Sequence, residues 1–285
     1  MSTPATSPDF GHIAHPTDFA AAGETAFAHA LRLAVAYRSH FYLVHAEYLE
    51  PGEDADWDAF PGVRSTLCRW GLLPAGAEPA AVYQQLGVRV TKADVPDRDP
   101  AGGVLRFVDE NQADLLVLAT RTGNGEHGFR RGSVAEAVAR RSGIPALFLP
   151  WGVPGFVDAR TGVPRLRNIL QPVDLGTPPG AAASLALRLA DALGCSDALL
   201  HTLHVGEPGR APTVAVAAAH DGRVRQRQAE GPLVETIVAE AAAVEADLIV
   251  SVTHGRDGLL DHLRGSTTEQ ILREARRPLL AVPAS

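Results

Sequence analysis

ADLLVLATRTGNGEHGFRRGSVAEAVARRSGIPALFLP, residues 113–150, returns without a gap as ADLIVSVTHGRDGLLDHLRGSTTEQILREARRPLLAVP at residues 246–283. Each stretch opens on an apolar run, crosses a loop containing glycines, and starts a periodic segment at Gly-Ser. Each then closes on a second apolar run that ends in proline. Upstream, HIAHPTDFAAAGETAFAHALRLAVAY (12–37) matches NILQPVDLGTPPGAAASLALRLADAL (168–193) in the same way, with Pro-x-Asp in the same place. Both ends of a unit recur at different offsets, so the chain reads as two copies of one unit, the second with a shorter middle.

In the first copy the pattern predicts strands at 11–15, 40–48, 88–95, 114–120 and 145–150. Helices are expected at 20–37, 100–111 and 133–141, with helical pieces around 63–72 and 79–86. Strands that are apolar throughout and alternate with helices imply a parallel sheet covered on both faces, joined by right-handed crossovers. The expected fold is therefore α/β: two tandem doubly wound domains, 1–152 and 153–285, each a five-stranded, mainly parallel sheet with helices on both faces. In the second copy a strand at 197–205 and a helix at 231–243 bracket PTVAVAA (212–218) and RVRQRQAE (223–230). These two stretches read as a hairpin or two short strands. Glycine and proline punctuate the link at 151–166.

The 285 residues carry a net charge of -7, and 46% of them are hydrophobic. An acidic chain with only small basic spots, Arg130-Arg131 and Arg140-Arg141, does not present the clustered cations that nucleic acid requires. No apolar run reaches the roughly 18 residues of a membrane helix, and the first residues, MSTPATSPDFG, lack the character of a signal peptide. Two cysteines, Cys68 and Cys195, make neither a disulfide framework nor a cysteine metal site. A cytoplasmic location is the expectation.

The loop after the fourth strand of the second copy carries the chemistry. Gly255 follows the strand, and nine residues later Gly265-Ser266 opens a helix. Glycines let a ligand approach the backbone, and free N–H groups at a helix start attract phosphate oxygens. Pro172-Val173-Asp174 ends the first strand, so Asp174 is expected on the same carboxyl rim, placed to accept hydrogen bonds from a ribose.

This combination of repeat, Pro-x-Asp, loop spacing and closing strand resembles the universal stress protein family. Its ATP-binding members have Gly, two residues, Gly, nine residues, then Gly-Ser or Gly-Thr. Here the second copy reads Val252-Thr253-His254-Gly255, nine residues, Gly265-Ser266. The first reads Ala119-Thr120-Arg121-Thr122, nine residues, Gly132-Ser133. A Cβ at Ala119, Thr122 and Val252 stands where the family has glycine, so the resemblance implies a degenerate first site and a closer second one. It implies an adenine nucleotide (ATP, with AMP or ADP, and magnesium as the accompanying ion) bound mainly in the second copy. Pro172, Val173 and Asp174 would lie near ribose and adenine; Val205 would meet the adenine through its backbone, beside Val252. Gly255, Gly265, Ser266 and Thr267 would cradle the phosphates. The first-copy counterparts are Pro16, Thr17, Asp18, Ala46, Gly132 and Ser133. Members of the family with one domain pair through their last strand, so PALFLP and PLLAVP are expected to join as an internal pseudo-dimer, which also hides two apolar edges. A further pairing of whole chains into a homodimer is compatible with this. The role implied is sensing or regulation in a stress response.

Plainer roles stand beside each of these. Ser133 with Glu136, and Ser266 with Glu269, are capping boxes. Asp18 and Asp174 read equally as loop caps. His201 and His204 lie three apart on a strand and face opposite ways, so they share no metal; no metal site is assigned. His45 and His204 both end a second strand, which suggests one structural role repeated. No catalytic residue is assigned, since neither a nucleophile elbow nor a P-loop is present; slow ATP hydrolysis is the most the resemblance implies. The alternative function is a non-nucleotide scaffold, or a sensor of another small ligand, with both sites degenerate. An inserted region at 49–85 is placed to cover a ligand pocket.

Overall fold

The computed structural model describes residues 10–47, 55–58, 60–120, 134–253 and 267–284. The first unit runs β1 (His12–Pro16), α1 (Glu24–Tyr37), β2 (His40–Ala46), α2 (Val63–Arg69), α3 (Ala81–Leu86) and β3 (Arg89–Val95). It continues with α4 (Pro100–Glu110), β4 (Leu115–Thr120), α5 (Val134–Ser142) and β5 (Ala146–Pro150). The second comprises β6 (Asn168–Pro172), α6 (Gly180–Ala192), β7 (Leu199–Val205), β8 (Val224–Ala229) and α7 (Leu233–Ala243). It ends with β9 (Leu248–Thr253), α8 (Thr267–Ala275) and β10 (Leu279–Pro283).

All ten strands form one sheet in the order β3-β2-β1-β4-β5-β10-β9-β6-β7-β8. Each unit contributes five parallel strands in the same relative order, and the units meet where β5 and β10 pair antiparallel, Leu147 opposite Leu280. The expected seam of PALFLP and PLLAVP is thus present. It turns two apolar edges into one buried ladder.

Strand residues alternate between two cores. Ile13, Leu115, Val117, Ile169 and Leu248 face the layer of α1 and α6, while Ala14, Leu116, Leu118, Leu170 and Ile249 face the layer of α4, α5, α7 and α8. Burial on both faces is what makes these strands predominantly apolar. Each cluster runs through both units, so the two copies share their cores as well as their sheet.

One expectation is corrected. The stretch 212–218 contains no strand, and no hairpin forms: β8 is a single strand, parallel to β7, with Leu203 opposite Arg227. A parallel neighbour requires a long crossover. Residues 206–223 supply it without an α-helix, ending in a 3₁₀ helix at Ala218–Arg223. None of the described residues of the region at 49–85 lines the cavity described below. Its described part packs instead on the α1 side, with Phe60, Val63, Leu67 and Leu73 in that core and Trp70 Nε1 donating to Ala159 O at 3.0 Å.

The link between units is more than punctuation. Phe156, Val157 and Leu166 are buried. His29 of α1 holds this segment: its Nε2 accepts from Phe156 N and Val157 N, both at 3.0 Å. Since Nε2 must accept, the ring proton sits on Nδ1, which donates to Thr25 O at 2.7 Å. Gly155 lies against this imidazole with φ 70°, where a Cβ would collide with the ring.

Candidate functional site

In the order β2-β1-β4 the chain reverses its direction of winding between β1 and β4, and open parallel sheets leave a crevice at such a point, at the carboxyl ends of the strands. The first unit leaves β1 still tied to β2, Thr17 N donating to Val44 O at 2.9 Å. Asp18 then turns the chain: its Oδ1 accepts from Ala20 N at 3.1 Å, and Thr17 Oγ1 accepts from Phe19 N at 3.1 Å. Phe19 takes φ 56°, a conformation an aromatic residue keeps only when its surroundings enforce it. His45, at the end of β2, supplies that enforcement. Its ring stacks on Phe19 with centroids 4.2 Å apart, and its Nδ1 donates to Thr17 O at 3.0 Å.

The second unit repeats the device. Val173 N donates to Leu203 O at 2.8 Å, Asp174 Oδ1 accepts from Gly176 N at 2.6 Å, and His204 Nδ1 donates to Val173 O at 3.3 Å. Both aspartates therefore make an Asx turn, and both histidines clamp the loop that presents it. Asp18 and Asp174 are exposed on their rims. His201 points the other way from His204, toward Asn168 Oδ1 at 3.2 Å. Among the described residues no group of three His, Cys, Asp or Glu side chains is placed to hold a metal ion.

A cavity of about 190 Å³ opens at the first unit's switch point. Pro16, Thr17, Asp18 and Gly23 line it from the β1 loop, and Val44 and Ala46 from β2. Leu118, Ala119 and Thr120 line it from β4, Pro100, Val104 and Ala135 from the two helices, and Trp151 from beyond β5. The walls are mostly apolar, and the ionisable lining side chain among the described residues is Asp18. Leu118 and Thr120 share a face of β4 by the two-residue period of a strand. Thr120 is 4% exposed, and its Oγ1 has no hydrogen-bond partner among the described residues. The backbone N–H of Trp151, a residue 56% exposed, donates to Thr120 O at 2.7 Å. The second unit differs at both positions. Thr253 Oγ1 donates to Val282 O at 3.4 Å, and the residue bonded to Thr253 O is Ala284.

Two buried histidines stand near this rim without facing it. His15 donates from Nδ1 to Val117 O at 2.9 Å and lies among Phe27 and Phe60. Burial pushes both His15 and His29 down to about 4, because the charged form is denied water; their hydrogen bonds to carbonyls oppose this only in part. Both rings are neutral at physiological pH.

The sequence profile of the universal stress protein family matches residues 9–150 and 209–283. The chain belongs to the universal stress protein family. A universal stress protein from Archaeoglobus fulgidus DSM 4304 has the same fold, with a TM-score of 0.59 at 17% identity over 98% of this chain and 100% of that one. A Pseudomonas aeruginosa UCBPP-PA14 protein named for the same family gives a TM-score of 0.60 at 17% identity, covering 98% and 95%. No protein of curated function matches the chain.

Within this universal stress protein, Pro16, Thr17, Asp18 and Ala46 converge on the first cavity. In the second unit Pro172 ends β6, Val205 ends β7, Val252 lies one residue before the end of β9, and Thr267 opens α8. Gly132, Ser133, Gly255, Gly265 and Ser266 lie outside the described residues, as do the capping boxes they start. Glu269, the partner expected in the second box, meets Arg140 of the other unit at 2.6 Å. Val44, Leu118, Thr120 and Trp151 were not singled out by the sequence. A signal existed for two of them: Thr120 is a polar end to an apolar strand, and Trp151 follows PALFLP where the second copy has Ala284.

Proposed function

We propose that this chain binds an adenine nucleotide on its carboxyl rims, mainly in the second unit, and acts as a sensor or regulatory protein in a stress response. The two units are taken as 1–152 and 153–285, and the working location is the cytoplasm. One observation carries the reading. The strand order β8-β7-β6-β9 puts the ends of β7 and β9, with Val205 and Val252, on either side of the end of β6, from which Pro172, Val173 and Asp174 lead away. The crevice beside that end is where such sheets bind ligands, and the adjoining loop holds the Gly255 and Gly265-Ser266 spacing. Asp174 spends Oδ1 on its turn, so Oδ2 is the oxygen left for a ribose hydroxyl. Gly265, Ser266 and Thr267 would offer N–H groups to phosphate oxygens at the start of α8, with magnesium accompanying the phosphates. The role is binding, with no catalytic residue assigned.

A second reading, a sensor of a different ligand or a scaffold, is favoured by Val252 and Ala119, whose Cβ atoms stand where the family pattern has glycine. Calorimetric titration with magnesium and ATP separates the two. The nucleotide reading expects micromolar binding at about one site per chain, lost in Asp174→Ala and Gly265→Val. No heat at millimolar ATP leaves the second reading standing.

A further inference from the structure

Both outer edges of the ten-stranded sheet repeat one arrangement. β3 and β8 close the sheet, and each is paired on one side only, with β2 and β7. On β2, His40 lies directly opposite Arg89 of β3; on β7, His201 lies directly opposite Arg225 of β8. Residues paired in register point to the same face of a sheet. We propose that these two edges are acid-sensitive: a proton taken up by His40 or His201 sets a cation opposite the edge arginine and loosens β3 or β8. Protons are then a stimulus for this chain, independent of any nucleotide.

At the first edge, His40 Nε2 lies 2.8 Å from Thr91 Oγ1, a contact that ties β2 to the edge strand. The His40 ring stacks on Tyr42 with centroids 4.0 Å apart, and His12 of β1 meets it edge-on at 5.8 Å. From α4, Phe107 packs on Tyr42, whose hydroxyl burial keeps in its neutral form. Asp114 spends Oδ2 on His12 N at 2.8 Å. Burial, and then the charges of Arg89 and His12, hold His40 below its ordinary 6.5.

At the second edge, His201 Nε2 donates to Asn168 Oδ1 at 3.2 Å. Its Nδ1 is left bare and buried, with no partner among the described residues. A proton there becomes a buried donor with nothing to accept it. Arg227 and Arg225 of β8 add their repulsion to the effect of burial, so His201 too is held below 6.5. Glu240 of α7 does not offset them fully, because it is engaged by Arg227 Nε at 2.7 Å.

Both rings are half-buried, whereas His15 and His29 are enclosed in the core. An edge that opens frees its histidine to bind a proton as an ordinary imidazole does. The pairing of β3 and β8 is therefore complete above about pH 6.5 and weakens as the pH falls below it. A loosened edge bares the ladder of β2 or β7, on which an extended segment of another chain can pair.

The test is hydrogen–deuterium exchange of the full chain at pH 7.5 and 6.0, read as protection factors so that the pH dependence of exchange itself cancels. The wild type should lose about three- to fivefold protection in peptides spanning 88–95 and 224–229, with little change in the seam peptides 146–150 and 279–283. His40→Gln keeps a neutral donor and should abolish the loss in 88–95 alone; His201→Gln should abolish it in 224–229 alone. Arg89→Gln and Arg225→Gln keep the imidazoles, remove the opposing cation and should shrink the loss at their own edges. Equal losses at edges and seam mean that acid acts on the whole fold through His15 and His29, and overturn the inference. A loss that persists in the histidine variants, or edges equally protected at both pH values, also overturns it.

Discussion

Replacing His29 by leucine, the residue at the equivalent position 185 of the second copy, should cost the protein a measurable part of its stability. The wild-type imidazole accepts two N–H groups, from Phe156 and Val157, in a segment that is 1% and 0% exposed. Leucine fills the volume and offers no acceptor, so both amides remain buried and unpaired. Each such group costs about 1–3 kcal/mol. The leucine recovers some apolar burial, which leaves a net loss of about 3 kcal/mol. For a chain of this size each kcal/mol moves the midpoint by about 2–4 °C, so a melt followed by circular dichroism should show a drop of about 6–12 °C at pH 7.5. Glutamine, which carries both an acceptor and a donor, should recover part of the loss. A shift under about 1 °C in His29→Leu would refute the claim that this side chain anchors the link between the units.

Other expectations follow from the same geometry. His15 and His29 are held neutral at about 4 against an ordinary 6.5, so between those values the unfolded chain binds protons that the folded chain refuses. Stability is then complete above about pH 6.5 and is lost as pH falls toward 4, by roughly 2 kcal/mol per histidine at pH 5. Urea midpoints at pH 7 and 5 read this directly, and His29→Leu should show about half the wild-type slope. Gly162→Ala places a Cβ into the Trp70 indole at φ 70° and should cost about 2 kcal/mol by thermal melting; an unchanged midpoint would mean the link does not pack on Trp70. Arg140→Ala breaks an exposed pair with Glu269 across the units and should move the midpoint by less than about 1 kcal/mol's worth, whereas Leu147→Asp in the buried β5–β10 ladder should abolish a cooperative melt.

The elements that the sequence disclosed are those whose burial leaves a period. The inner strands are predominantly apolar because both faces are covered, and this alternation with helices gave the parallel sheet, the repeat and the seam at β5 and β10. His45 and His204 could be matched by position alone, and both do clamp the carbonyl after their first strand. What escaped detection has no period. Residues 206–223 cross between parallel strands without an α-helix, so their short apolar run looked like a hairpin. Phe156, Val157 and Leu166 hide in a stretch whose glycines and prolines signal a loop. His29 sits on an apolar helix face and reads as an ordinary core residue, since the amides it binds come from 127 and 128 positions away. Thr120 and Trp151 become a pair only through the hydrogen bond that joins β4 to the residue after β5.

Hydrogen–deuterium exchange of the whole chain, with and without saturating magnesium and ATP, tests rim binding most directly because it reads both units at once. The account predicts slowed exchange in peptides spanning 172–176, 203–206 and 267–272, with that protection absent in Asp174→Ala. Unchanged exchange at those peptides with ATP present, or protection confined to surfaces away from the carboxyl ends of the strands, would contradict it.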